Sequence, residues 1–344
     1  MPKVLLTGGS GFIATHILEL LLQRGHEVVT TVRSEEKAKI IRDAHAGAGA
    51  KLSVVLVPDV AQPDAFDELL RTTPDFDYVV HTASPFHFRF TDPKTEILDP
   101  AIIGTTAILE ATKKYAPGVK RLVITSSFAA ILSVEGLADK TKTFSEADWN
   151  PNTYEDGLTG APGTTYRVSK TLAEKEAWDF QAREKPGFDI ATINPPFVFG
   201  PVVPHLRSLA DINTSNGNFA ALIAGRWKQE VPPTTMYLWV DVRDVAKAHV
   251  EAMERPEAGN QRFFVTTGLY NNREIADIVR KNFPPLADKL PAEGNSGGDY
   301  PEGNIDNVYK YDNSRATKVL GIDWIPLEKS VTDTVQSLLA VLPK

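Results

Sequence analysis

Cysteine is absent from all 344 residues of the sequence. A disulfide framework, a thiolate metal site and a cysteine nucleophile are therefore excluded, and the composition suits a reducing compartment. Positive charge is also scarce, because 37 lysines and arginines face 44 aspartates and glutamates, which gives a formal net charge of −7. That balance argues against a surface that attracts nucleic acid or anionic membranes by charge.

Long apolar runs are absent as well, so the sequence predicts no membrane-spanning segment. The first residues, MPKVLLTGG, lead directly into a predicted buried strand and leave no room for a signal peptide. We therefore expect a cytoplasmic protein without a metal site that binds neither nucleic acid nor membrane. The length allows either one large α/β unit or a domain with an attached lobe.

Short β-branched apolar runs recur through the first two thirds of the chain and alternate with helical patterns. Such runs are typical of strands that are buried on both faces. Strands that alternate with helices predict a parallel, doubly wound sheet. The predicted strands cover residues 4–6, 27–32, 52–57, 77–83, 121–126 and 189–194.

The alternation breaks after residue 200, where a proline-rich segment and the polar stretch DINTSNGN follow. A strand is predicted at 236–240, a helix at 241–253 and a long loop at 283–307. The predicted fold is therefore α/β, a Rossmann-type doubly wound parallel sheet with a smaller C-terminal substrate-binding lobe. The expected division is a nucleotide-binding domain at 1–200 and mainly the lobe at 201–344, with 236–255 returning to the first domain.

A glycine-rich turn, TGGSGFIA, joins the first predicted strand to the first helix and contains Gly8 and Gly11. Turns at this place let backbone amides approach a pyrophosphate at a helix N-terminus. The second strand is followed by Arg33, where NAD enzymes usually carry an acidic residue for the ribose 2′-hydroxyl. Arg33 and Lys37, one helical turn later, therefore favour the 2′-phosphate of NADP(H).

Tyr166 and Lys170 in YRVSK are four residues apart in a helical pattern, so both side chains are expected on one helical face. A neighbouring ammonium lowers the pKa of a phenol, which makes the pair a candidate general acid for a carbonyl oxygen. Ser127 follows the predicted strand RLVITS, at the sheet edge where ligands bind in such folds. Its hydroxyl can stabilise negative charge on the substrate oxygen.

The motifs TGGSGFIA, HTASPF, TSS, YRVSK, NPPFVFGP and VDVRDVAKAH occur in this order over nearly the whole chain. Together they resemble the extended short-chain dehydrogenase/reductase superfamily. HTASPF, TVRSEEKA and DVRDVAKAH are most similar to its dihydroflavonol-reductase-like branch, and within it to fungal-type NADPH-dependent methylglyoxal and carbonyl reductases. The resemblance implies hydride transfer from nicotinamide C4 of NADPH to small aldehydes or ketones, with Tyr166 as proton donor, in a monomer or homodimer.

The resemblance also implies the site residues, with Ser127, Tyr166 and Lys170 as the catalytic set. Lys170 would also hold the nicotinamide ribose. The implied contacts are Gly8, Ser10, Gly11, Phe12 and Ile13 for the pyrophosphate, Arg33 and Lys37 for the 2′-phosphate, Asp59 and Val60 for adenine, Thr82, Ala83 and Ser84 for the ribose side, Pro195 and Val198 for the nicotinamide, and Ser215 for the phosphates. Relatives commonly carry an NGT motif on the fourth helix, and this chain has Ile103 in place of the asparagine.

An apolar pocket with one polar centre suits a hydrophobic aldehyde or ketone. Its candidate residues are Phe86, Phe128, Ile131, Leu132, Phe197 and Tyr237.

Two other functions stay open at this point. An NAD-dependent nucleotide-sugar epimerase or dehydratase can share the tyrosine, the lysine and the fold, and Arg207, Arg226 and Lys228 offer charges for a diphosphate. Arg33 argues against NAD. A non-catalytic NADP-sensing regulator has the same fold but no need of a proton donor.

Overall fold

A parallel sheet of seven strands lies at the centre of the protein in this computed structural model, which describes residues 1–84, 90–203 and 212–341. Its strand order is β10-β7-β5-β4-β1-β2-β3. In chain order the strands are β1 (Lys3–Thr7), β2 (Glu27–Val32), β3 (Leu52–Leu56), β4 (Tyr78–His81), β5 (Arg121–Thr125), β6 (Thr143–Phe144), β7 (Asp189–Asn194), β8 (Phe197–Phe199), β9 (Leu238–Asp241), β10 (Gln261–Phe264), β11 (Gly268–Leu269) and β12 (Lys310–Tyr311).

Helices cover both faces of this sheet. The helices are α1 (Phe12–Gln23), α2 (Glu35–Ala44), α3 (Asp67–Thr72), α4 (Asp99–Tyr115), α5 (Val134–Ala138), α6 (Tyr154–Thr159), α7 (Pro162–Glu184), α8 (Gly217–Ile223), α9 (Val242–Glu254), α10 (Asn272–Asn282), α11 (Ser314–Leu320) and α12 (Leu327–Val341). Helices α1, α2, α9 and α11 pack on one face, and α3, α4 and α7 pack on the other. Among the helices that the structure describes, none is long and apolar enough to cross a bilayer.

The order in which strands are added to the sheet reverses at β1, which pairs in parallel with β2 on one side and with β4 on the other. Strands β2 and β3 are added on one side of β1, and the chain then crosses to the other side, where β4, β5, β7 and β10 follow. In doubly wound sheets a ligand cleft opens at such a switch point, outside the carboxyl ends of the strands. The glycine turn follows β1 at this edge.

The six strands predicted in the first two thirds of the chain are confirmed, with ends that differ by a few residues. They are visible in the sequence because their side chains are buried on both faces, as in β2, where the residues after Glu27 are all buried. Strand β10 was not predicted. It is only four residues long and begins with the polar residues Gln261 and Arg262, so it has no apolar run to indicate a strand. It joins the sheet by pairing in parallel with β7.

A smaller sheet, with the order β11-β9-β8, carries the second lobe together with α8, α10 and α12. The predicted strand at 236–240 is found as β9 in this smaller sheet, whereas α9, which follows it, packs on α1 and on the main sheet. Asp241 begins this helix by accepting a hydrogen bond from the Arg243 amide at 2.9 Å. The segment 236–255 is thus shared between the two sheets, and the domain boundary at residue 200 stays a prediction.

Candidate active site

The turn between β1 and α1 packs against neighbouring backbone too tightly for side chains. Gly8 has φ +75°, and a Cβ atom there would lie 3.1 Å from the Cα of Ala83. A Cβ atom at Gly9 would lie 2.0 Å from the Oγ1 of Thr30. The amides of Gly8 and Gly9 donate to the side chain and the carbonyl of Thr31 at 3.2 and 2.9 Å. Glycine is therefore required on steric grounds at both positions.

Helix α1 starts directly from this turn. Gly11 is its N-cap residue and provides no side-chain hydrogen bond to the first turn, while its own amide donates to the Gly8 carbonyl at 2.8 Å. The remaining amides of a helix start carry partial positive charge and attract anions. This arrangement is suited to a phosphate group.

The end of β2 presents two cations next to the turn. Arg33 is exposed and Lys37 is half-buried in the first turn of α2, which Ser34 caps. Neither cation forms an ion pair with another described residue, whereas Glu35 on the same helix pairs with Arg42. Arg33 and Lys37 are thus available for an anionic ligand.

The residues predicted to flank adenine shape the loop after β3. Asp59 accepts hydrogen bonds from the Ala61 amide at 2.9 Å and the Gln62 side chain at 2.6 Å, and these bonds lower its pKa. The carbonyl of Val60 lies so close to α4 that a Cβ atom at Gly104 would be 3.3 Å from it. Gly104 therefore permits this contact at the place where Ile103 replaces the asparagine of relatives.

A buried histidine fixes the end of β4. The Thr7 hydroxyl accepts hydrogen bonds from the amides of Thr82 and Ala83, both at 3.2 Å, and is 2.9 Å from Nδ1 of His81. Burial, with a smaller contribution from the charge of Lys170, lowers the pKa of His81 to about 3. The ring is therefore neutral and accepts the Thr7 proton at Nδ1, which places its own proton on Nε2.

The predicted catalytic residues meet where α7 passes the end of β5. The Tyr166 hydroxyl is hydrogen-bonded to the Ser127 side chain, and the Nζ atom of Lys170 lies 6.0 Å from the centre of the Tyr166 ring. The Ser127 hydroxyl also accepts from the Ala129 amide at 3.1 Å, which fixes its rotamer. A hydroxyl pair beside an ammonium can protonate an oxygen and stabilise its negative charge.

Burial controls the ionisation of this set. It raises the pKa of Tyr166, while the hydrogen bond with Ser127 opposes the rise. It also lowers the pKa of Lys170 to about 8. The sequence predicted that the ammonium would lower the pKa of the phenol, whereas in the structure burial raises this pKa and the opposing contribution comes from the Ser127 hydrogen bond.

A cleft of about 810 Å³ runs along these groups at the carboxyl ends of the strands. The catalytic set and most of the predicted cofactor residues line it. Those residues are Gly8, Gly11, Phe12, Ile13, Thr82, Ser84, Ser127, Tyr166, Lys170, Pro195, Val198 and Ser215. The structure places Ser10, Arg33, Lys37, Asp59 and Val60 outside the lining, and Ala83 in a small neighbouring cavity.

Seven further residues line the cleft that were not among the predicted contacts. They are Ala14, Thr125, Ser126, Pro196, Ile212, Asn213 and Thr214. The segment around Ser215 is tied to β8, because the Val198 amide donates to the Ser215 hydroxyl and Asn213 donates to the Val198 carbonyl, both at 3.2 Å. The polar stretch DINTSNGN was the signal for this part, since a polar segment beside an apolar strand indicates a ligand-facing loop.

Several of the apolar residues proposed for the substrate pocket are buried in the core, and their part in such a pocket stays a prediction. Phe128 is 1% exposed and stacks on Phe264 with ring centres 5.1 Å apart. Ile131 and Leu132 lie in the same buried cluster. The reason is that the short helical turn after Ser127 directs these side chains inward.

The other pocket candidates do not line the cleft either. Phe197 packs on the core of the second lobe, and the ring of Tyr237 lies 5.4 Å from that of Tyr300. Arg226 and Lys228, considered for a diphosphate, are exposed away from the cleft. Phe86 and Arg207 lie outside the described residues.

The profile of a known family, the NAD dependent epimerase/dehydratase family, matches residues 4–266. The chain belongs to this family. It is 45% identical over 339 residues to the ketoreductase azaE of Aspergillus niger, covering 98% of this chain and 97% of that protein. It is 37% identical to the putative NADPH-dependent methylglyoxal reductase GRP2 of Candida albicans, covering 98% of both chains.

Family members of known structure share the whole fold. The crystal structure of yeast methylglyoxal/isovaleraldehyde reductase Gre2 complexed with NADPH superimposes with a TM-score of 0.90 at 35% sequence identity, covering 98% of each chain. The predicted family and the predicted doubly wound fold are thereby confirmed. The roles of individual residues in the cleft rest on the geometry described above.

Proposed function

We propose that the protein reduces aldehydes and ketones to alcohols with NADPH. The observation that carries this proposal is the meeting of Ser127, Tyr166 and Lys170 in one cleft with the glycine turn. The names of the relatives reported above, a ketoreductase and methylglyoxal reductases, support the same reaction class. The substrate class is therefore a small carbonyl compound.

The residues present are suited to a dinucleotide with a 2′-phosphate. Gly8 and Gly9 admit close backbone approach, and the first turn of α1 offers amides to the pyrophosphate. Arg33 and Lys37 lack ion-pair partners among the described residues and can hold the 2′-phosphate. Pro195 and Val198 form the apolar wall for the nicotinamide, and Lys170 can reach the ribose.

When bound, NADPH supplies a hydride to the carbonyl carbon. The Tyr166 hydroxyl donates its proton to the carbonyl oxygen, and burial keeps that proton in place at neutral pH because it raises the phenol pKa. The Ser127 hydroxyl donates a hydrogen bond to the same oxygen and stabilises its developing charge. The Lys170 ammonium, charged below about pH 8, then stabilises the phenolate that remains.

The two alternative functions are less well supported. A nucleotide-sugar epimerase needs cations near the second half of its substrate, but Arg226 and Lys228 do not line the cleft. An NAD enzyme would also gain nothing from Arg33 and Lys37. A regulator that only senses NADP has no use for the Tyr166–Ser127 hydrogen bond.

A substrate panel tests the proposal directly. Loss of NADPH absorbance at 340 nm, the standard wavelength for reduced nicotinamide, is followed with aldehydes, ketones and UDP-sugars, and each reaction is repeated with NADH. We expect turnover of several apolar carbonyl compounds with NADPH and none of UDP-sugars. Conversion of a UDP-sugar without net change in absorbance would establish the epimerase instead.

We also propose that the protein acts in the cytoplasm, as a monomer or a homodimer. The absence of cysteine and the net negative charge support the first point. Fluorescence microscopy of the tagged chain and analytical ultracentrifugation test the two points separately. A membrane-bound signal, or a mass above that of a dimer, would contradict them.

A further inference from the structure

A buried carboxylate joins the elements that carry the active site. Glu174 is 1% exposed, on α7 one turn after Lys170. Its Oε1 accepts from the Arg262 guanidinium at 2.6 Å and from the Thr192 hydroxyl at 2.9 Å. Its Oε2 accepts from the side-chain Nδ2 of Asn194 at 2.7 Å and from the Ser126 hydroxyl. One side chain thus connects α7 with β7, β10 and the end of β5.

The positive partner of this carboxylate is equally well held. The Arg262 guanidinium lies 3.6 Å from the centre of the Trp149 ring and donates to the carbonyls of Glu146 and Asp148 at 2.6 and 2.8 Å. Replacing a buried ion pair with apolar residues often stabilises a protein. General stability is therefore a weak explanation for this pair, and a role in placing particular residues accounts for it better.

The network reaches Ser127 from two sides. The residue before it, Ser126, donates its hydroxyl proton to Glu174. The carbonyl of Ser127 itself accepts from the Nδ2 atom of Asn194 at 3.2 Å, and the same Nδ2 atom donates to Glu174. The backbone of Ser127 is therefore fixed relative to α7.

Helix α7 completes the connection. It carries Tyr166 eight residues before Glu174, about 12 Å along the helix axis. A helix of this length transmits the position of one residue to another with little loss. Glu174 does not line the cleft but the small neighbouring cavity, together with Ser126 and Lys170. It therefore lies behind the groups that face the cleft.

We propose that Glu174 is a positioning residue that holds the Ser127 hydroxyl against the Tyr166 hydroxyl by tying the end of β5 to α7. The inference rests on the proposed carbonyl reduction, for which this hydrogen bond places the two groups that contact the substrate oxygen. Loss of the tie separates the two hydroxyls while leaving the glycine turn and the Arg33 end of β2 unchanged.

The test is Glu174→Asp, which keeps the charge next to Arg262 but shortens the reach by one methylene. When the enzyme–NADPH complex, with no free NADPH present, is mixed with an excess of a ketone that the native enzyme reduces, the rate constant of the single turnover should fall by about tenfold to hundredfold, because small misplacements of reacting groups cost rates of that order. The reaction amplitude and the affinity for NADPH should stay within about twofold of native. A merely structural role would instead lower the amplitude and leave the rate constant unchanged.

The control is a partly buried ion pair at the opposite end of the same two strands, in which Arg121 is buried and Asp189 is half-buried. Arg121 begins β5 and Asp189 begins β7, and the two side chains form a bidentate pair. Asp189→Asn should lower the melting temperature without changing the single-turnover rate constant. An equal fall of the rate constant in this variant would overturn the proposal.

Two further variants complete the experiment. In a Ser127→Ala background, Glu174→Asp should cost much less than it does alone, because the group through which it acts has gone. If Glu174→Asp does not fold, Asn194→Ala keeps all charges paired, removes the bond to the Ser127 carbonyl and lies outside the cleft lining, so it should still lower the rate constant by several-fold with NADPH affinity preserved. Native rates in both cases would refute the positioning role, whereas an inactive native enzyme would refute the proposed function instead.

Discussion

The Tyr166 hydroxyl is hydrogen-bonded to the Ser127 hydroxyl at the point where α7 passes the end of β5. The two groups come from different elements, 39 residues apart in the numbering of the chain. A carbonyl oxygen that replaces this contact with one hydrogen bond to each hydroxyl would be held at two points. Its charge would be stabilised by Ser127 while its proton comes from Tyr166.

Removing the proton donor should lower turnover and leave NADPH affinity unchanged. Tyr166→Phe keeps the ring but deletes the hydroxyl, so turnover should fall by roughly a hundredfold to ten-thousandfold. NADPH affinity, measured by the fluorescence of the bound cofactor, should stay close to native. Reduction of a ketone at the native rate would show that the proton comes from elsewhere.

Activity should fall as the pH rises through about 8. Burial lowers the pKa of Lys170 to about 8, so its charge is present below this pH and is lost above it. Burial raises the pKa of Tyr166 above its ordinary value of 10.0, so the phenol does not titrate in the same range. We expect kcat/KM for NADPH to decline about tenfold per pH unit above 8.

Two variants can show which group causes the decline of kcat/KM above pH 8. NADPH affinity of Tyr166→Phe should decline over the same pH range, because Lys170 is still present. Lys170→Met should bind NADPH weakly at every pH and show no decline. A decline that persists in Lys170→Met would assign the titration to another group.

Cofactor preference should depend on Arg33. A charge-assisted contact with a phosphate contributes about 1.5 to 3 kcal/mol, so Arg33→Ala should raise KM for NADPH roughly tenfold to a hundredfold. KM for NADH should hardly change. Arg42→Ala is the control, because Arg42 is an exposed cation on α2, the helix that follows Arg33, and already pairs with Glu35. Equal use of both cofactors by the native protein would contradict the assignment.

Cofactor binding should also protect the segment beside β8. Ser215 and Asn213 hydrogen-bond the backbone of Val198, which lines the cleft and is proposed to contact the nicotinamide. Hydrogen exchange at residues 214–217 should slow when NADPH is added, and Ser215→Ala should reduce that effect. Exchange that is the same with and without NADPH would count against this contact.

The main sheet and the catalytic set could be predicted because their signals are local. Buried parallel strands are apolar on both faces, and Tyr166 and Lys170 show their shared helical face by spacing alone. The burial of Phe128 could not be predicted, for a nonlocal reason. Phe128 is buried by Phe144 and Phe264, and neither contact can be inferred from the residues that adjoin it in sequence.

The burial of Glu174 could not be predicted either, although here a charged residue is buried rather than an aromatic one. It lies in the charged stretch TLAEKEAWDF, a composition typical of a solvent-facing helix. Its burial depends on Arg262, which lies 88 residues later on a strand too short to be predicted. Only the assembled sheet brings the two charges together.

The close approach of Gly9 to Thr30 has a consequence for redesign. The pyrophosphate turn and the end of β2 interlock, since Gly9 has no room for a side chain and donates to the Thr31 carbonyl. Exchanging residues 33–37 alone, to change the cofactor that is accepted, leaves this junction untouched. Transplanting the turn from another enzyme succeeds only if the threonines at 30 and 31 are exchanged along with it, because the turn and the end of β2 pack against each other and must be replaced together.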